Sequence, residues 1–165
     1  MAVTLLLTAG CSTSEDDTRG SGSSTAGASS SRPGHTKAGQ DMCALLTDEQ
    51  LSTYMREGIL DPERSNERDR PTCTWDGTAT NKVELALWIP PIRTIITDDA
   101  ERTIDVGDLN GYVQFESDNS CKVDIEGPER FLDIQIDWSD TADEDGKLCD
   151  SVADMAEGVV ADLGW

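Results

Sequence analysis

Five cysteines, at positions 11, 43, 73, 121 and 149, are the residues of this chain best equipped for chemistry, and their surroundings divide them into two sets. Cys11 follows MAVTLLLTAG, an apolar stretch from Ala2 to Ala9 and then the small residues Ala9 and Gly10 directly before the thiol. This is the pattern of a secretory signal ending in a lipobox: a membrane peptidase needs small side chains to bind the backbone closely, and the sulfur receives diacylglycerol. Cys11 is therefore the expected lipidation site and mature N-terminus. No Lys or Arg precedes the apolar run, which reads as an n-region clipped by a start placed too far downstream; Thr8 stands where Leu is commonest. The other four cysteines form an even set, and in an exported chain an even set argues for two disulfides. Three pairings are open. The expected one is Cys43–Cys73 with Cys121–Cys149, because each then ties a predicted helix to a predicted strand within one half of the chain. Zinc held by four thiolates is the competing chemistry, and no two of these cysteines have the C-x₂₋₄-C spacing that such sites favour. Neither a metal nor a cofactor is expected.

Other reactive side chains give weaker patterns. The single His35 lies in a stretch without large apolar residues, which leaves no partner for a Ser–His–Asp triad or a histidine-ligated zinc. Asp137, Asp140, Asp143, Glu144 and Asp145 crowd one loop, but the EF-hand register puts Thr141 at position 1 and Val152 where a bidentate Glu belongs, so an acidic solvated loop is expected. Paired carboxylates of the glycosidase kind cannot be singled out in so acidic a chain. Trp75, Trp88 and Trp138 could line a ligand groove; Trp88 is the candidate ligand-binding residue, because strand parity puts it opposite its own aliphatic row, with aromatic packing beneath a helix as the plainer alternative. There is no P-loop lysine motif, dinucleotide-binding glycine pattern or nucleophile elbow.

The elements that position these residues lie between 41 and 165. Thr47-Asp48-Glu49-Gln50 has the capping-box form and opens a short helix to about Arg56, with Leu51, Tyr54 and Met55 on one side and Gly58 as its stop. Asp61–Pro71 is charged, lacks large apolar residues and reads as a loop. Thr72–Trp75 begins a sheet, Asp76-Gly77 turns, and Val83–Ile89 continues it until Pro90-Pro91, with Val83, Leu85, Leu87 and Ile89 on one face and Glu84, Ala86 and Trp88 on the other. Residues 92–102 are ambiguous between a strand end and a short helix near 97–102. Thr103–Val106 and Tyr112–Phe115 flank a turn-rich GDLNG. Cys121–Ile125 and Leu132–Trp138 should pair as an antiparallel hairpin across Gly127-Pro128, with Cys121, Val123, Ile125, Leu132, Ile134, Ile136 and Trp138 inward. Lys122, Asp124, Glu126, Asp133, Gln135 and Asp137 are then left in water. Leu148, Val152, Met155, Val159 and Leu163 recur as the apolar stripe of a final helix. A faint repeat relates Cys73 and the strand ending near Trp88 to Cys121 and the strand ending near Trp138.

The expected fold is α+β: an antiparallel sheet packed by N- and C-terminal helices, held by two disulfides and preceded by a disordered, lipidated tail. The expected organisation is a signal peptide and lipobox at 1–11, a Ser/Gly/Thr-rich linker at 12–40 and a globular domain at 41–165. The linker has no large apolar side chain to offset the entropy of ordering, and as a flexible coil it spans about 30 Å. The 165 residues carry 13 Lys and Arg against 33 Asp and Glu, a formal charge of −20. Before position 41, Glu15, Asp16 and Asp17 are matched by Arg19, Arg32 and Lys37, so the excess belongs to the domain and makes nucleic acid a poor partner. No apolar run approaches the roughly 20 residues that cross a bilayer.

LTAGCSTS, then Cys43-Ala44-Leu45-Leu46-Thr47 opening a helix, Cys73-Thr74-Trp75, Cys121-Lys122-Val123 and a final Leu148-Cys149 helix together resemble the actinobacterial lipoproteins grouped as domain of unknown function 3558. The resemblance covers nearly the whole chain, and its most specific element is C-A-L-L-T combined with C-x-W. It implies export, lipidation at Cys11, attachment to the outer face of the cytoplasmic membrane and a small disulfide-bearing domain; it implies no activity. The leading expectation is a monomeric, non-catalytic, membrane-tethered interaction module whose partner is another envelope protein or a cationic ligand. A carrier of a small or lipidic molecule, bound between sheet and helices near Trp88, is the alternative. A hydrolase would require a buried carboxylate with a raised pKa.

Overall fold

The computed structural model describes residues 40–55, 58–78, 80–138 and 148–165. Cys11, residues 12–39 of the linker with His35, Arg56 and the acidic loop residues Asp140, Asp143, Glu144 and Asp145 lie outside the described residues. Seven strands form one sheet: β1 (Glu63–Glu67), β2 (Arg70–Asp76), β3 (Lys82–Trp88), β4 (Arg102–Val106), β5 (Leu109–Ser117), β6 (Ser120–Glu126) and β7 (Phe131–Asp137). Their order across the sheet is β1-β2-β3-β7-β6-β5-β4, and every neighbouring pair is antiparallel. The helices are α1 (Asp48–Tyr54), α2 (Arg93–Asp98) and α3 (Leu148–Leu163), with a single 3-10 turn at Met42–Ala44.

The hydrophobic alternation translates directly into three rows that cross the sheet on one face. Trp75, Val83, Ile136 and Cys121 form one; Cys73, Leu85, Ile134, Val123 and Val113 the next; Leu87, Leu132, Ile125, Gly111 and Ile104 the third. All of these are buried. The same core takes in Leu51, Tyr54 and Met55 from α1 and its C-cap, and the stripe Leu148, Val152, Met155, Val159 and Leu163 from α3. Gly111 is obligatory in its row: a Cβ there would stand 2.9 Å from Ile104 Cγ1 and 3.2 Å from Val106 and Val123. The capping box forms as read, with the Thr47 hydroxyl accepting from the Gln50 N–H (3.3 Å) and Gln50 Oε1 accepting from the Thr47 N–H (3.0 Å).

Both disulfides join a helical segment to a strand. Cys43 bonds Cys73 on β2 with Cα atoms 5.1 Å apart, and Cys121 on β6 bonds Cys149 in α3 with Cα atoms 5.4 Å apart. The faint repeat thereby gains a geometric counterpart, since β2 and β6 flank the central β3–β7 pair on its two sides.

Four expectations about elements need correction. Ile89 lies beyond the end of β3 and is 65% exposed instead of joining Val83, Leu85 and Leu87 in the core. Asp61–Pro71 is not a loop: it holds β1 and the start of β2, joined by a tight turn at Arg68 and Asp69, both at positive φ (54° and 60°). β1 is an edge strand exposed along its whole length, so backbone pairing to β2 forms it without an apolar face. The helix after Pro91 runs over Arg93–Asp98, earlier than expected. The GDLNG stretch turns at Gly107-Asp108 alone, Leu109–Gly111 already belonging to β5.

β5 also carries a bulge between Val113 and Phe115 that reverses its alternation. Phe115 consequently turns out to solvent, while Glu116 swings to the helix side. There its carboxylate accepts from the Cys149 N–H (2.8 Å) and from Arg102 Nε (2.8 Å). An anion at the first turn of α3 satisfies an otherwise orphaned donor and complements the helix dipole.

Candidate functional site

The helices α1 and α3 cover one face of the sheet, and the other face carries the polar half of each alternation. One row crosses it as Thr72, Ala86, Asp133, Asp124 and Tyr112; beside it run Thr74, Glu84, Gln135, Lys122 and Phe115, and on the other side Trp88, Phe131 and Glu126. Asp124 and Asp133 are therefore direct cross-strand partners at the middle of the sheet. They are 1% and 3% exposed. The expectation that both would stand in water is overturned: β6 and β7 are inner strands, and larger neighbours on the same face close over a short aspartate.

Burying two like charges side by side is costly unless both are compensated. Asp133 receives an Arg70 N–H at 2.8 Å, and the Lys122 ammonium lies 3.3 Å from the same oxygen. Asp124 accepts from the Trp88 indole N–H at 3.2 Å, and the Arg70 guanidinium sits 5.7 Å from the centre of that indole. Burial, followed by repulsion from Asp133, pushes the Asp124 carboxyl up to about 6, against the opposing pull of the Trp88 hydrogen bond, Lys122 and Arg70. Burial also raises Asp133, with Lys122 and Arg70 countering. Both acids are covered, and each is anchored to a neighbour on its own face.

The short α2 extends this closure. Arg93 pairs with Glu126 and lies 5.4 Å over the Phe131 ring, while Gln114 Nε2 donates to the Ile96 carbonyl at 2.9 Å. Tyr112 completes the edge by donating its hydroxyl to Glu126 at 3.2 Å. Beyond Arg70 the face opens into a shallow groove of about 350 Å³ over β1–β3, edged by Glu63, Glu67 and Glu84.

The structure separates the three tryptophans proposed for a groove. Trp75 is buried in the core, Trp138 packs edge-on to Tyr54 with ring centres 6.4 Å apart, and Trp88 is half-buried on the opposite face. Among the described residues, core side chains occupy the layer between the sheet and the terminal helices, and Trp88 lies on the opposite face of the sheet. No group of three or more His, Cys, Asp or Glu among the described residues could hold a metal ion. The acid pair was missed by sequence reasoning although a signal was present: pairing the two strands across Gly127-Pro128 sets Asp124 against Asp133, an arrangement that needs an explanation whenever it occurs.

The family model for Protein of unknown function (DUF3558) matches residues 6–162. No curated protein and no solved structure matches the chain.

Proposed function

The chain belongs to the DUF3558 family, and on that premise we propose that it is an exported lipoprotein of the actinobacterial type, acylated at Cys11 with diacylglycerol and a fatty chain such as palmitate. Its domain is a monomeric, non-catalytic binding module at the outer face of the cytoplasmic membrane. The observation that carries this reading is the fate of the cysteines. All four in the domain are consumed in two disulfides, the state of an oxidising compartment, which leaves over one thiol, the one that follows LTAG. The non-catalytic half of the proposal is supported by the burial of Asp124 and Asp133, the pair whose raised pKa best resembles that of a catalytic acid.

An excess of 20 negative charges favours an envelope protein with a basic surface or a cationic ligand as partner. The test is expression in an actinobacterial host behind a basic n-region supplied for export, with intact-mass analysis of the membrane fraction beside the Cys11→Ser variant. A mass increment of the acyl groups on the parent, absent from the variant, is expected, with the variant released from the membrane. A parent carrying no acyl mass at Cys11 overturns the reading.

A further inference from the structure

We infer that the cleft between α1 and the segment leading into β1 is a binding site for a small organic ammonium ion with an apolar body. The cleft measures about 600 Å³, within the range of small-molecule sites. Its floor is apolar, built from Leu46, Met55 and Trp75. The half-buried Ile59 forms a wall, and Leu60, 52% exposed, stands at its mouth. The charged groups lining it among the described residues are two carboxylates, Asp48 and Asp61.

The site is built before any ligand arrives. Ile59 forms a bridge with Gly77, the Leu60 N–H donates to the Asp76 carbonyl at 2.9 Å, and Met55 N–H caps α1 through Leu51 at 2.8 Å. The disulfide at Cys43 fixes the wall opposite. A preorganised pocket spares its ligand the ordering cost of the walls. An apolar body placed here covers the exposed Leu60, and its ammonium meets the two carboxylates at the rim in a molecule whose overall field already concentrates cations. A carboxylate of the same length gains the apolar contact and loses the charge pairing.

The inference rests on the binding reading above but not on the anchor. Its test is titration of the full chain, uniformly ¹⁵N-labelled, with octylammonium and separately with octanoate. Saturable shifts confined to Leu46, Met55, Ile59, Leu60 and Trp75 are expected for octylammonium, at an affinity about tenfold above that for octanoate. The double variant Asp48→Asn with Asp61→Asn should lose about that tenfold preference, and both substitutions fall on exposed positions. Leu60→Lys, which sets a cation beside the same two carboxylates, should narrow it. Equal binding of the two probes, shifts centred elsewhere, or a preference unmoved by the double variant each overturns the assignment. None of these outcomes bears on acylation of Cys11, so failure of the cleft and failure of the tether are read separately.

Discussion

Replacing Asp124 with asparagine should make the domain more stable at neutral pH, by an amount that vanishes in acid. The carboxyl moves from an ordinary 3.8 to about 6 on folding, so the folded state binds its proton more tightly than the unfolded state does. The stability contributed by that proton is fully present below the unfolded value and is lost as pH rises through about 6. A shift of roughly two units corresponds to about 3 kcal/mol, which the native protein forgoes at pH 7. Asparagine keeps an oxygen for the Trp88 indole N–H and replaces the charge facing Asp133 with an amide donor. Asp124→Asn should therefore gain about 2–3 kcal/mol at pH 7, on the order of 10 °C in Tm for a domain of this size, and almost nothing at pH 4. Urea unfolding followed by tryptophan fluorescence at intervals from pH 4 to 8, with the disulfides intact, measures both limbs. A variant less stable than the parent at pH 7, or a gain of the same size at pH 4, refutes the electrostatic account.

Trp88→Phe removes the donor that holds Asp124 down, so the carboxyl should titrate higher than in the parent, as followed by the carboxyl ¹³C shift. Replacing Cys121 and Cys149 together by serine opens a closure spanning 28 positions in sequence and should cost about 3–4 kcal/mol, read from the denaturant midpoint. Gly111→Ala drives a methyl against Ile104, Val106 and Val123 and should lower stability by about 1–3 kcal/mol in the same assay.

Much of the architecture was legible because it rests on local periodicity. The alternation in Val83–Leu87, Cys121–Ile125 and Leu132–Ile136, the stripe of α3 and the capping box at Thr47 each encode an element in its own residues, and the cysteine pairing followed from where those elements fell. β1 was illegible because nothing in Glu63–Glu67 is apolar; its strand conformation is conferred by β2. The bulge at Val113 and Phe115 was equally hidden, since Tyr112–Phe115 reads as an unbroken strand and only the demands of Arg102 and the α3 N-terminus explain the extra residue. The buried acids lay between these cases. Their facing was inferable from the hairpin, but their burial depends on strand order, and no local pattern announces that β7 sits beside β3.

The position of the Cys43–Cys73 bond governs how the domain answers a pull. Cys43 follows closely on Asp41, whose carboxylate meets the Arg64 side chain of β1 at 3.3 Å. Tension arriving along the N-terminal segment reaches sulfur before it reaches α1, and crosses into β2 at a residue hydrogen-bonded between β1 and β3. Load taken up at Cys43 thus passes through the disulfide into a strand paired on both sides, and the chain between Cys43 and Cys73 is mechanically bypassed.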